Sequence, residues 1–420
     1  MARAVPARLD AHFGVDPPAA DDAPALPPAA VPGDLRLTVY EDLSAIERDW
    51  RAFEAHADGT VFQSFDWLAS WQRHIGVRSG VRPAIVVARD GAGAILLLLP
   101  LAVRSAGLAR ELAWLGSELC DYNAPLLAPA FAERFDATRF SSLWASITQC
   151  LQSNPRLRYD FVSLTKMPER IGAQPNPMLG LRVTIHPSGA YLTHLDGDWE
   201  TFYAATRSPA TRRRDRTKRK KLAEFGEIKL VNPASDSEIL HTLDTLMEQK
   251  AQSFARMGVG NLFAKPGHAE FYRALATEPA TRHLVHVSRL DVGATTAAVN
   301  LGLTYRDCYY HLLASYDGSE LSRFGPGAAH LHELLHQAIE RGFRVFDFTI
   351  GYELYKRDWC DTELKLYDFI AAATRRGALV AAPMLAAQRL KRWIKRTPVL
   401  WNAVSAGRAL VGSLARKARG

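Results

Sequence analysis

The hexapeptide Arg323-Phe324-Gly325-Pro326-Gly327-Ala328 sets a cation, two glycines and a proline at the start of a helical pattern. Small residues at a helix start let a phosphate approach backbone N–H groups, where the helix dipole favours negative charge. Arg323, Gly325, Gly327 and Ala328 are therefore candidates for holding a diphosphate. The same loop also suits a helix start chosen for turn geometry alone. Downstream, Tyr352-Glu353-Leu354-Tyr355-Lys356 groups two phenols, a carboxylate and an ammonium. Such groups can move protons, although a surface segment with an ordinary Glu–Lys pair reads the same way. Asp347 alternates with Phe346 and Phe348 on a strand pattern that should be buried, and a buried carboxylate needs partners. It either orients a basic or hydroxyl group near a site or is a hydrogen-bonded structural carboxylate.

Other constellations are weaker. His332-Glu333-Leu334-Leu335-His336 matches H-E-x-x-H by letters, a spacing that can hold zinc. No third ligand is plausibly placed, and Leu331, Leu334, Leu335 and Ile339 supply the buried stripe. His330, His332 and His336 are expected toward the flanks, with no metal. Cys308 and His311 lie at odd separation on one strand pattern and face opposite sides, which excludes a nucleophilic pair. The run Arg212 to Lys221 carries eight basic residues and one acid. It is either a solvated helix face or a binding surface, through Arg212 and Arg216, for the phosphates of a nucleotide- or lipid-linked acceptor or of RNA.

The elements that must position these residues follow a repeated order. Cys308 to Tyr316 reads as a strand, about Ala328 to Arg341 as an amphipathic helix, and Phe343 to Thr349 as a buried strand. A hairpin across Asp291-Val292-Gly293-Ala294 precedes them, and a last strand begins at Thr362. The first half shows the same series: a hairpin across Asp90-Gly91-Ala92-Gly93, a strand and loop ending in CDYNAPLLAP, a helix from Phe131 to Leu151, and a buried strand from Tyr159. Phe62, Phe65, Trp67, Leu68 and Trp71 line one side of a helical segment, and residues 235–275 add helices with Met247, Phe254 and Phe271 in the core. Two hairpin–strand–helix–strand units indicate a duplicated α+β fold.

Of 420 residues, 48% are hydrophobic and 23% charged, ordinary for a globular protein with ample core. The net charge of +8 is unevenly placed. From Arg375 to Gly420 there are 11 Lys or Arg and no Asp or Glu, which leaves 41 basic and 44 acidic residues in the remainder. The tail, with Trp393, Ile394, Leu400 and Trp401 among its cations, reads as basic amphipathic helices broken at Pro398. These either lie on an anionic membrane surface or pack on the body with a basic outer face. Four irregularly spaced cysteines fit free thiols in a reducing cytoplasm. No apolar run suits a signal peptide, and Ala94 to Val103 is short of the ~20 residues a span requires. The expected location is therefore cytoplasmic, with peripheral contact at the inner membrane.

The order strand, glycine loop, helix, strand, then GYELYKRDW resembles the GNAT acyltransferases, whose Q/R-x-x-G-x-G/A loop grips the diphosphate of acyl-CoA. The loop here is one residue shorter. The segment is most similar to the CelD-type branch linked to cellulose and exopolysaccharide synthesis, itself related to the Fem-type peptidyltransferases. FQSFDWLASW and the basic run after WETFYAATRS resemble segments of the same branch. The resemblance implies a tandem GNAT-like double domain with mixed sheets. Its halves would be an N-terminal 35–195 and a catalytic 196–374, between a leader 1–34 that its Pro, Ala and Asp content marks as disordered and the basic tail 375–420. It implies acetyl-CoA or another acyl-CoA as donor, with the backbone at Ala314 and Ser315 pairing the pantetheine arm. It further implies Glu353 as base, Tyr352 or Tyr355 as acid, and Lys356 beside the developing oxyanion. Asp121-Tyr122 would line an acceptor cleft for a saccharide or other small molecule, or else form a turn with an aromatic anchor. An aminoacyl-tRNA-dependent transferase and a non-catalytic accessory subunit of a polysaccharide synthase are the alternatives.

Overall fold

The computed structural model describes residues 29–30, 35–351 and 353–396. Within the leader expected to be disordered, Ala29–Ala30 pairs with Leu37 and Arg36; the rest of 1–34, Tyr352 and the tail beyond Arg396 lie outside the described residues.

Two mixed sheets form the framework, and each is built the same way. In the first, the hairpin Arg82–Arg89/Ile95–Ala106 leads to the strand Ala109–Trp114, then the helix Ala137–Ser153, then Phe161–Pro168. Glu111–Ala113 and Phe161–Ser163 run parallel. In the second, the hairpin Val285–Val292/Thr295–Tyr305 leads to Cys308–Tyr316, the helix Pro326–Glu340 and Val345–Ile350, with Cys308–Tyr310 parallel to Val345–Asp347. A parallel pair requires a crossover long enough to hold a helix, so each half repeats hairpin, strand, helix, strand. The duplicated α+β order is therefore present in the backbone pairing itself.

The sheets exchange strands across the boundaries expected at 195 and 374. Ala190–His194 inserts into the second sheet between Val345–Ile350 and Thr362–Leu364. The segment expected as one last strand divides at Lys365: Thr362–Leu364 stays in the second sheet, and Leu366–Ala372 pairs with Phe161–Pro168 in the first. Thr184–Ile185 stays in the first sheet, where it pairs with Tyr367–Asp368 of the strand that has crossed. Backbone hydrogen bonds, and not side-chain packing alone, thus join the halves.

Apolar alternation places the core on both sides of the second sheet. Tyr309, Phe346 and Phe348 pack with Leu331, Leu334, Leu335 and Ala338 of the helix Pro326–Glu340. Those helix positions follow the i, i+3, i+4, i+7 spacing of one face, with Ala338 in the buried place expected for Ile339, which is only partly covered. On the other side, Tyr310, Val299, Leu301 and Leu303 share one core with Phe62, Trp67, Trp71 and Tyr122 of the first half. Of the helical core residues expected in 235–275, Met247 and Phe271 are buried and Phe254 is half-buried.

Candidate active site

The strands Cys308–Tyr316 and Val345–Ile350 pair only over their first three residues and then diverge. The far edge of Cys308–Tyr316 stays paired, with Ala314 opposite Asn300 and Ser315 opposite Val299. Beyond Tyr310, no strand among the described residues pairs with its near edge. Into this splay opens a cavity of about 520 Å³, lined by Ala314, Ser315, Gly325, Gly327, Ala328, Glu353 and Tyr355. Seven residues singled out in the sequence thus share one concavity.

The helix Pro326–Glu340 points its N-terminus into that cavity. Gly325 adopts a left-handed backbone (φ 69°) between a short 3-10 turn and Pro326 at the first helical position. No side chain caps this end, and its first turn holds no acidic residue. Its first N–H groups are free of intrahelical partners by geometry and favour an anion. A Cβ on Gly327 would lie 3.3 Å from the Tyr316 ring, so a longer side chain would fill the approach. The corresponding helix of the first half differs: the Asp136 carboxylate accepts from Arg139 N–H at 2.8 Å and occupies that N-terminus. Glycines at one site and an aspartate cap at the other make only the second half fit for a diphosphate.

The cations over this loop come from the helix Pro209–Ala223, capped by Ser208. Lys218 and Arg214 line the cavity, and a Cβ on Gly325 would sit 4.0 Å from Lys218 Nζ. Arg207, nearly buried, also lines it; it pairs with Asp215 at 3.3 Å and Asp358 at 3.5 Å and lies over the Trp359 ring. Arg323 does not take the expected place. Its guanidinium lies over Phe324, 3.6 Å from Glu320, in an outer groove beside Arg213 and Lys221. With the loop one residue shorter, the cation at the helix start is supplied from another element. Arg212 and Arg216 line an adjoining cavity of about 410 Å³ with Trp199 and Tyr203, which shares Lys218, Gly325 and Ala328 with the first.

The histidines of the same helix have aromatic and hydroxyl partners. His332 and His336 pack on Trp199, with ring centroids 4.6 and 5.0 Å apart. His330, expected on a flank, is buried and bonds the Ser288 hydroxyl at 3.0 Å. Among the described residues, no group of three His, Cys, Asp or Glu is placed to hold a metal ion.

Beyond the splay lie the groups able to move protons. Lys356 is 3% exposed. Its ammonium donates to the carbonyls of Thr349 (3.3 Å) and Ile350 (2.9 Å) and pairs with Glu353 at 3.1 Å. In place of the expected oxyanion donor, the structure shows a lysine that holds the strand end by two hydrogen bonds and Glu353 by an ion pair. Glu353 remains half exposed on the cavity. Burial, then Glu353, keeps the Tyr355 phenol above its usual range and therefore protonated at neutral pH.

Three lining residues were not identified from sequence. His311 is buried and lowered to about 3 by burial, then by Lys356, so its imidazole is neutral. Burial also lowers Lys250. Gln249 accepts from the Ser315 hydroxyl at 2.8 Å and donates to Thr296 carbonyl at 3.0 Å, tying the splayed strand to the helix Asp236–Met257. A lysine three residues after the core residue Met247 was the available signal, since it must share that residue's face.

Asp121, Tyr122 and Asp347 come together, but between the two sheets. Tyr122 Oη donates to Asp347 Oδ1 at 2.7 Å, and Thr349 N–H donates to the same oxygen at 2.7 Å. Thr349 has φ +59°, an outlying backbone for a β-branched residue. Burial raises Asp121, opposed by Lys166 and then by the Thr349 hydroxyl. Tyr122 and Asp347 engage each other inside the shared core instead of facing an open cleft, because Val345–Ile350 is covered on both faces.

Comparison with known proteins agrees with this geometry. Residues 209–357, which contain the basic helix, the splay, the glycine loop and Glu353, match the acetyltransferase (GNAT) domain family. Among solved structures, the chain is similar to FemX at 10% identity and TM-score 0.52, covering 77% of this chain and 96% of that one. It is also similar to a conserved protein of unknown function from Bacteroides thetaiotaomicron VPI-5482 at 14% identity and TM-score 0.50, covering 79% and 98%. At these identities the likeness is one of fold. No curated protein sequence matches the chain.

Proposed function

We propose that this protein transfers an acyl group, most simply acetyl, from an acyl-CoA to an amine or hydroxyl acceptor, with an envelope or exopolysaccharide saccharide as the acceptor class. One observation carries the reading: an uncapped helix N-terminus, flanked by Lys218 and Arg214, opens beside the unpaired edge of a splayed strand. The first N–H groups of the helix and the two cations would hold the diphosphate. The free backbone edge at Ala314 and Ser315 would accept an extended amide-bearing arm in the manner of an added strand. That arm leads toward Glu353 and Tyr355. Glu353 would take the proton from the attacking amine or hydroxyl as its bond to the acyl carbon forms; Tyr355 would give its proton to the departing thiolate sulfur as the C–S bond breaks.

The exposed cations Arg213, Lys220 and Lys221 favour a second reading, an aminoacyl-tRNA donor. Calorimetric titration of the full chain with coenzyme A separates the two. Saturable binding that is lost in Gly327→Glu is expected. Absence of coenzyme A binding, with RNA retained through purification, would replace the thioester donor by the second.

A further inference from the structure

The helix Arg375–Arg396 is fixed to the first sheet by one face. Ala381 is buried, and Val380, Met384 and Leu385 pack around Ala109, Phe161 and Ile370. The Gln388 amide donates to Asp368 at 2.9 Å. At about 100° per residue, the opposite face carries Leu379, Ala382, Pro383, Ala386, Leu390 and Trp393, all apolar. A helix packed on a sheet normally turns polar residues to water on that side. Here Leu379 is 79% exposed, Leu390 54% and Trp393 60%. Leu108, 94% exposed, lies alongside, on the turn whose carbonyl accepts from Arg376.

Charge identifies the occupant. Arg375 stands at the N-terminal end of the stripe, and Arg376 and Arg389 fall at its margins. No Asp or Glu occurs between Arg375 and Gly420. A second copy seated on this stripe would bring like charges together along both margins, which costs association. An anionic lipid surface complements both the stripe and its rim: leucine and tryptophan enter the interface while arginines reach headgroups. No helix among the described residues is long and apolar enough to cross a membrane. We infer that the outer face of Arg375–Arg396 docks the protein on an anionic bilayer surface, the helix lying in the plane of the headgroups.

The test is co-sedimentation of the full chain with vesicles of phosphatidylcholine, alone or mixed with phosphatidylglycerol. Binding to the mixed vesicles, weakened by salt, is expected, with a loss of about tenfold or more in Leu379→Glu/Leu390→Glu. Both leucines face solvent, so an unchanged melting temperature verifies the variant's fold. Should that variant misfold, Arg375→Gln/Arg389→Gln is expected to lower binding and flatten its salt dependence. Equal sedimentation of wild type and variants, or no binding to anionic vesicles, overturns the inference. So does a lipid-free dimer in light scattering that Leu379→Glu/Leu390→Glu dissociates, since the stripe would then be a self-contact.

Discussion

The phenol of Tyr122, carried by the first half, donates to the carboxylate of Asp347, carried by the second, at 2.7 Å. The two residues are 225 positions apart and meet inside a core that both halves share. Just beyond Asp347, the strand that bears it ends in Thr349 and Ile350, whose carbonyls receive Lys356, and Lys356 in turn holds Glu353. A chain of direct contacts therefore runs from the junction of the halves to the proposed base.

Asp347 should make stability depend on pH in an unusual direction. Burial raises its carboxyl to about 7, opposed by Tyr122 and Thr349 N–H. The folded state keeps a proton that the unfolded chain releases above about pH 4. This group's stabilising contribution is therefore full below about pH 4 and is lost progressively as pH rises toward 7. Asp347→Asn retains an acceptor for Tyr122 and Thr349 but cannot ionise. Melting curves from pH 5 to 8 should be flatter for this variant, and at pH 8 its melting temperature should exceed wild type by about 2–4 °C, the shift that ~1 kcal/mol produces in a mid-sized chain. A lower melting temperature at pH 8 would mean that the junction requires the ionised carboxylate.

Lys218 and Arg214, not Arg323, should set donor affinity. A charge-assisted hydrogen bond contributes about 1.5–3 kcal/mol, so Lys218→Ala should weaken coenzyme A binding by roughly tenfold or more, and Arg214→Ala similarly. Arg323→Ala should stay within about twofold, because its guanidinium is engaged by Glu320 and Phe324. Titration of the three variants side by side checks the ranking; a dominant Arg323 would mean that the loop rearranges around the donor.

The repeated element order was legible because hydrophobic period and turn residues are local signals: Asp90-Gly91-Ala92-Gly93 and Asp291-Val292-Gly293-Ala294 each mark a hairpin the structure contains. The position of the glycine loop, Glu353 and Tyr355 along the chain could be read for the same reason, since the strand and helix on either side fix it, and all three line one cavity; their roles there belong to the proposal. The strand exchange was not legible. Nothing local at Lys365 tells the chain to leave one sheet for the other; the partners that decide it, Ala190–His194 and Phe161–Pro168, are remote in sequence. Lys218 and Lys250 were obscured in opposite ways. One sits among eight similar cations, and the other lies on a helix face whose apolar neighbours suggested core alone. The place of Arg323 was not legible, because the contacts that hold its guanidinium, to Glu320 and the Phe324 ring, follow from packing that the loop's residue types do not display.

Filling the glycine loop should remove donor binding without unfolding the chain. Gly327→Val places its Cβ 3.3 Å from the Tyr316 ring, at the exposed rim of the cavity and away from the core. Tyr316 is half exposed and can give way, so the melting temperature should change little while coenzyme A binding falls by about tenfold or more, the scale on which an anion loses its helix N–H partners. Placing a carboxylate at the same end, as Asp136 does in the first half, should be more damaging: Gly327→Asp supplies a competing anion. Calorimetry on both variants, with circular dichroism as the fold control, decides this; undiminished binding in Gly327→Asp would move the diphosphate elsewhere.

Glu353 and Lys356 should separate cleanly under substitution, because one faces the cavity and the other faces the backbone. Glu353→Gln removes the proposed proton acceptor and keeps the shape of the side chain. Turnover should drop by about 10²–10⁴, the usual contribution of a positioned general base, while donor affinity changes little. Lys356→Met instead releases the carbonyls of Thr349 and Ile350 from a buried donor, and each unsatisfied group costs about 1–3 kcal/mol. Its melting temperature should therefore fall together with turnover, since the strand end that carries Glu353 is no longer held. A lysine acting on the reacting carbonyl would behave differently: turnover would collapse at constant melting temperature. Measuring kcat, coenzyme A affinity and melting temperature on the same two preparations distinguishes a lysine that positions the base from one that touches the substrate.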